Sequence, residues 1–151
     1  MKTAIVTGGT RGIGAALVRS FLASGWNVAY SGTSSETVNK SLEALRGKYS
    51  EDTYAAFPCE VSSVADLIAL WDSAVRTFGS VDIWVNNAGT SNDQTPFHEL
   101  PVEIFTRIID TNVKGLMLAT HVAYNRMLKQ GHGAIYNMEG LGSDGRSITG
   151  L

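Results

Sequence analysis

The residues Thr7-Gly8-Gly9-Thr10-Arg11-Gly12-Ile13-Gly14 combine the types and spacing that a phosphate group needs. A bound phosphate requires backbone N–H groups aimed at it and no side chains in the way. Glycine meets both conditions, and a helix that starts there adds a favourable dipole. In this arrangement Gly8 makes a tight turn, Gly12 lets a pyrophosphate approach, and Gly14 brings helix and strand together. The alternative is an ordinary glycine-rich turn between a strand and a helix. Other candidates for chemistry are sparser. His98, His121 and His132 are far apart with no ligand spacing, so no metal site is expected. Cys59, the only cysteine, reads as a small core residue rather than a nucleophile. Glu139 and Asp144 carry carboxylates suited to acid work, with no pairing group beside them.

Such a turn acts only if strands and helices hold it. Five short β-branched or aromatic runs recur, Lys2–Thr7, Trp26–Ser31, Thr53–Phe57, Val81–Asn86 and Ala134–Met138, each bounded by Gly, Pro or Ser. Their near-continuous apolar character predicts parallel strands covered on both faces. Between them, Ile13, Ala16, Leu17 and Phe21 form one helical stripe stopped by Gly25, and Val38, Leu42 and Leu45 a shorter one stopped by Gly47. Val64, Leu67, Ile68, Trp71, Ala74, Val75 and Phe78 line a third, capped by Ser63 with Asp66 three residues on. Pro101 to Gln130 reads as one long helix, with Gly131 just past its end. The predicted fold is therefore α/β, a Rossmann-type parallel sheet of five strands with helices on both faces.

Composition narrows the function classes. The chain has 151 residues, 44% hydrophobic and 17% charged, which predicts one globular domain rather than a disordered tail. Twelve basic residues against 14 acidic ones, a net of −2, provide no basic footprint for nucleic acid or anionic lipid. No apolar run is long enough to span a membrane, and the apolar stretch of the N-terminus is too short for a signal peptide. The lone cysteine fits a reducing compartment, and a cytoplasmic location is expected.

Three motifs together resemble the short-chain dehydrogenase/reductase family: Thr7-Gly8-x-x-x-Gly12-Ile13-Gly14, Asn86-Asn87-Ala88-Gly89 at the end of the fourth run, and Asn112 on the long helix. A receiver- or flavodoxin-like binding domain shares the layering but does not need all three. The resemblance implies that Gly8, Thr10, Arg11, Gly12, Ile13 and Gly14 surround the pyrophosphate and adenosine ribose of a nicotinamide dinucleotide. It places Asn86, Asn87, Ala88 and Gly89 along the ribose and nicotinamide end. Glu60 and Val61 fall where the family touches the adenine, Glu60 standing in place of the usual Asp. Asn112 resembles the asparagine that anchors a water in the proton relay; the alternative is a polar residue plugging a helix bulge. Family members are commonly dimers or tetramers, so a homo-oligomer is expected.

The choice of dinucleotide has a physical handle. Enzymes preferring NAD usually place an Asp or Glu after the second strand, on the ribose 2′-hydroxyl. Here Tyr30-Ser31-Gly32-Thr33-Ser34-Ser35 offers no carboxylate until Glu36. The hydroxyls of Ser31, Thr33 and Ser34 suit a 2′-phosphate, and Arg11 adds a cation, so NADP(H) is favoured over NAD(H). The same cluster would also cap the next helix.

At the catalytic end the pattern departs from the family. The family's Tyr-x-x-x-Lys pair moves a proton to or from the substrate oxygen, and a Ser after the fifth strand positions that oxygen. Tyr30, Tyr49, Tyr54, Tyr124 and Tyr136 are each followed four residues later by something other than Lys. After Asn137 come Met138, Glu139 and Gly140, which leaves Ser143 as the candidate oxygen ligand. The stretch from Tyr136 to Gly145 resembles the chlorophyll b reductase branch of the family. The expected assignment is one dinucleotide-binding domain over residues 1–151, lacking the fold's last part and ending before the catalytic tyrosine. Hydride transfer between NADP(H) and a small-molecule carbonyl or alcohol is the expected function. The alternative is a dinucleotide-binding module without catalysis.

Overall fold

The computed structural model describes residues 1–92 and 95–139. Its five strands are β1 (Thr3–Val6), β2 (Asn27–Gly32), β3 (Tyr54–Pro58), β4 (Ile83–Asn86) and β5 (Ala134–Asn137). They form one parallel sheet in the order β3-β2-β1-β4-β5. The register pairs Ala4 with Val28 on one side of β1 and with Ile83 on the other. Every residue of β1 and β2 is buried, as the unbroken apolar runs require. β5 stands at the sheet edge and is exposed along most of its length.

The helices α1 (Gly12–Ala23) and α2 (Ser35–Leu45) cover one face, over a core of Val6, Val18, Leu22, Val28, Tyr30, Leu45, Tyr54 and Val85. On the other face α3 (Val64–Phe78) and α5 (Leu116–Gln130) enclose Ile5, Leu67, Leu70, Trp71, Trp84 and Ala123. Trp71 stacks on Trp84 at 6.1 Å, so both indoles belong to the core. Ser63 caps α3 as expected, its hydroxyl accepting from the Asp66 N–H at 3.3 Å.

The α1 stripe differs from the expected one. Gly14, Val18 and Leu22 are its buried residues, Leu17 and Phe21 are partly buried, and Ile13 is 65% exposed. Contact between Gly14 and the preceding turn sets the helix rotation, which periodicity alone does not contain. Val64 and Ile68 likewise face outward, while Leu70 is buried.

The expected single helix over 101–130 is three segments. α4 (Val102–Ile109) runs into a π turn (Asp110–Gly115) and then into α5. The backbone stays right-handed helical at Ile109 and Leu116, so the path is continuous but its winding changes. A Cβ on Gly115 would lie 2.7 Å from Val61 Cγ2, so this glycine lets the turn press against the strand β3 exit. Among the described residues no helix is long and apolar enough to cross a membrane.

Candidate functional site

The sheet order reverses beside β1: the chain passes from β1 through α1 to β2 on one side, and β4 lies on the other. In open α/β sheets a crevice forms where the strands' carboxyl ends diverge like this. Here the crevice holds an open cavity of about 850 Å³, bordered by the glycine-rich turn, the ends of β2 and β3, and Asn87 to Thr90 after β4.

Thr7 and Asn87 tie the two sides together. The Thr7 hydroxyl accepts the N–H groups of Asn87 at 3.0 Å and Ala88 at 3.1 Å. The Asn87 side chain donates to the carbonyls of Thr7 at 2.9 Å and Gly8 at 3.1 Å. From β2, the Ser31 carbonyl accepts the Gly9 N–H at 2.8 Å and the Ser31 hydroxyl accepts that of Gly8 at 3.2 Å. Gly8 has φ +64°, and a Cβ there would sit 2.9 Å from Ala88 Cα, so only glycine lets the strands close this tightly. At Gly14 a Cβ would collide with the Gly8 carbonyl oxygen and Asn87 Nδ2. Gly12, at φ +55°, faces open space with nothing within 4 Å of a Cβ. Gly9 lies against Tyr30, a packing role that the sequence did not reveal.

The start of α1 differs from those of its neighbours. Ser34 caps α2 in a capping box and Ser63 caps α3. α1 begins after Arg11, which makes no capping hydrogen bond, and its first turn holds no acidic residue. Its leading N–H groups therefore lack side-chain partners and aim at the cavity. An anion is the chemical complement of that end.

The other expected residues divide by what their side chains do. Thr10, Arg11, Ile13, Thr33, Glu60, Val61, Ala88 and Gly89 all border the cavity. Ser31 borders it too, but is buried with its hydroxyl accepting Gly8. The Ser34 hydroxyl accepts the Thr37 N–H at 3.2 Å, so it serves as the cap and does not border the cavity. Thr37, one turn further on, does border it and was not expected. Glu60 accepts from the backbone and hydroxyl of Ser62 at 3.2 and 3.1 Å. Burial, then the charges of Asp66 and Glu60, push the Cys59 thiol up to about 12, so it stays protonated and unreactive.

A second cavity of about 870 Å³ adjoins the first over the ends of β4 and β5, with Asn112, Leu116, Met138 and Glu139 in its walls. Asn112 pairs with the Thr90 backbone in both directions: Oδ1 accepts the Thr90 N–H at 2.9 Å and Nδ2 donates to the Thr90 carbonyl at 2.8 Å. The side chain thus pins the π turn to the loop after β4. Asn86, expected along the ribose, spends its amide elsewhere. Its Oδ1 accepts Trp84 Nε1 at 2.7 Å, and its Nδ2 donates to Thr120 Oγ1 at 2.9 Å and Asn137 Oδ1 at 2.8 Å. Ser143 and Asp144 lie outside the described residues. Arg107, on α4, borders both cavities and was missed; its four-residue step to Thr111, on the same wall, was the available signal. Among the described residues no three His, Cys, Asp or Glu gather where a metal ion could be held.

Comparison with known proteins agrees with this architecture. The short chain dehydrogenase family profile matches residues 2–147. A chloroplastic chlorophyll(ide) b reductase of Arabidopsis thaliana is 37% identical over 144 residues, covering 94% of this chain and 41% of its own length. A 3alpha-hydroxysteroid dehydrogenase of Mediterraneibacter gnavus is 39% identical over 136 residues, covering 90% of this chain and 54% of its own. The solved structure of ElxO with NADP bound superimposes with a TM-score of 0.79 at 29% identity, covering 90% of this chain and 54% of that one. The chain therefore spans about half or less of the length of these proteins. With its glycine-rich turn, its Asn86–Gly89 segment and its π turn at Asn112 falling inside the matched residues, the chain belongs to the short chain dehydrogenase family.

Proposed function

We propose that the cleft takes NADP(H) and serves hydride transfer between its nicotinamide and a small-molecule carbonyl or alcohol. The observation that carries this reading is the uncapped start of α1 at the point where the sheet order reverses, faced by open space at Gly12. A diphosphate there would accept from the leading N–H groups of α1, which have no side-chain cap. Thr33 and Arg11 would hold the 2′-phosphate, because no carboxylate from the β2 exit borders the cavity to repel it. That a relative of known structure holds NADP supports the same choice.

When bound, the cofactor supplies or accepts the hydride. The chain's own residues position it. Thr7 and Asn87 hold the glycine turn against the β4 exit, so the floor of the cleft is rigid before any ligand arrives. Asn112 fixes the loop at Thr90, and through it the wall of the second cavity, where the reacting end would lie. We retain Asn112 as the anchor of a relay water and Ser143 as the ligand of the substrate oxygen. The two curated relatives named above are a reductase and a hydroxysteroid dehydrogenase, which supports a carbonyl or alcohol as substrate. The single cysteine, buried and protonated, suits a reducing, cytoplasmic setting.

The second reading is a dinucleotide-binding module without turnover. Fluorescence titration of the 151-residue chain with NADPH and NADH separates the two. The expected result is binding of both, tighter for NADPH; a carbonyl-reduction assay on the same chain then decides between the two readings. Binding without turnover would leave this chain as a binding module. Failure to bind either nucleotide would sink the cofactor reading itself.

A further inference from the structure

We propose that Arg107 is a second phosphate-binding cation of the cleft, gripping the bridging diphosphate of the dinucleotide from the wall opposite α1. This rests on the dinucleotide reading above. Seven residues border both cavities, and six of them come from the glycine turn and the loop after β4. Arg107 is the seventh, and α4 brings it there from the far side of the cleft. A ligand lying across both cavities has its midpoint at these shared residues. For a dinucleotide that midpoint is the diphosphate.

The charge pattern agrees. Arg107 makes no ion pair or side-chain hydrogen bond among the described residues. Of the acidic residues within one helical turn, Asp110 faces Lys114 at 3.6 Å, and Glu103 makes no ion pair with Arg107 among the described residues. Glu60, on the cleft wall, is already engaged by Ser62. Arg11 and the uncapped end of α1 add positive charge to the same space, so three cationic contributions converge there, and none of the cavity's carboxylates forms an ion pair with Arg107 or Arg11 among the described residues. Like charges are held together at a cost unless a ligand neutralises them. A guanidinium matches phosphate oxygens with paired donors, which suits it to this position.

The π turn explains how the arginine is aimed. In a regular α-helix a four-residue step drifts about 40° around the axis, so Arg107, Thr111, Gly115 and Ala119 would spiral away from one another. The wider turn over Asp110–Gly115 absorbs that drift. Arg107 and Thr111 then face the cleft while Gly115 and Ala119 are buried below. Asn112, bonded to Thr90, locks the rotation.

The test measures Kd for NADPH and NADH, at several ionic strengths, in the wild-type chain, R107Q and R107K. Thermal unfolding without ligand checks that the variants fold alike. Because both nucleotides share the diphosphate, R107Q is expected to weaken both by a similar factor, about tenfold. R107Q should also flatten the dependence on salt, and R107K, which keeps the charge but not the paired donors, should keep the salt dependence and recover part of the affinity. Unchanged affinity in R107Q, or weakening confined to NADPH, would overturn the proposal. If the wild-type chain binds neither nucleotide, the underlying cofactor reading fails instead, and that outcome is seen before any variant is compared.

Discussion

Replacing Asn86 by alanine removes the hub of a hydrogen-bond network that joins β4, β5 and α5. Three bonds of 2.7, 2.9 and 2.8 Å meet at its amide. Their loss is unequal. Trp84 is fully buried, so its indole N–H, once stripped of Asn86 Oδ1, finds no water. Leaving such a donor unsatisfied costs about 1–3 kcal/mol. Thr120 and Asn137 are closer to solvent and can rehydrate, so each loses only the net worth of its bond, about 1 kcal/mol. The sum is roughly 3–5 kcal/mol, a large share of the ~5–15 kcal/mol that holds a typical domain together. Urea unfolding should show it as a lower midpoint at unchanged slope. The sharper test is a double-mutant cycle with Trp84→Phe, which removes the N–H. That substitution also disturbs the 6.1 Å stack with Trp71, but the disturbance is present on both arms of the cycle and cancels. Asn86→Ala should cost about 1–3 kcal/mol less in the chain that already carries Trp84→Phe. Costs that add to within about 0.5 kcal/mol would refute the idea that Asn86 stabilises the core through the indole.

Two further outcomes follow from the site. Gly14→Ala should destabilise the chain by about 1–3 kcal/mol and abolish nucleotide binding, because its Cβ meets the Gly8 carbonyl and the bonded Asn87 amide. Gly12→Ala, with nothing within 4 Å, carries only backbone strain, so a Gly14→Ala chain as stable as wild type in denaturant would contradict the geometry. The Cys59 thiol, raised from 9.0 to about 12, ionises more easily in the unfolded chain. Its contribution is therefore complete below pH 9 and is lost as pH climbs toward 12. Unfolding midpoints should fall over that window and flatten in Cys59→Ala. A native thiol alkylated as fast as the unfolded one would rule this out.

Much of the architecture was legible because it rests on local signals. The five apolar runs became the five strands, and the glycines after them fell at turns and helix ends. The glycine-rich turn was legible because its chemistry is written in consecutive residues. What escaped was set by long-range contact. Ile13 and Val18 are equally apolar, and only the contact of Gly14 with Gly8 and Asn87 decides which of them is buried. The π turn has no apolar period of its own. It follows from Gly115 against Val61 and from Asn112 against Thr90, partners more than 20 positions away. Arg107 was hidden for the same reason, since its place on the cleft depends on that turn. Ser31 and Asn86 were seen as polar and near the crevice, but their bonds to Gly8 and Trp84 turn them into struts.

The hydrogen bonds from Asn87 to the Thr7 and Gly8 region join residues about 80 positions apart. The glycine turn is complete early in synthesis, yet its opposite wall is delivered only after three strands and three helices have been laid down. Pairing over such a separation is slow, and it comes late in folding. The central strand has one open edge until then, so the half-made chain exposes a sticky flank at its middle rather than at its rim. A ligand bridging the seam would act as a clasp on this long-range join. At a hundredfold excess over Kd it would add about 2.7 kcal/mol to holding that join closed. Whatever fills the crevice would therefore also guard the seam between the two halves of the sheet.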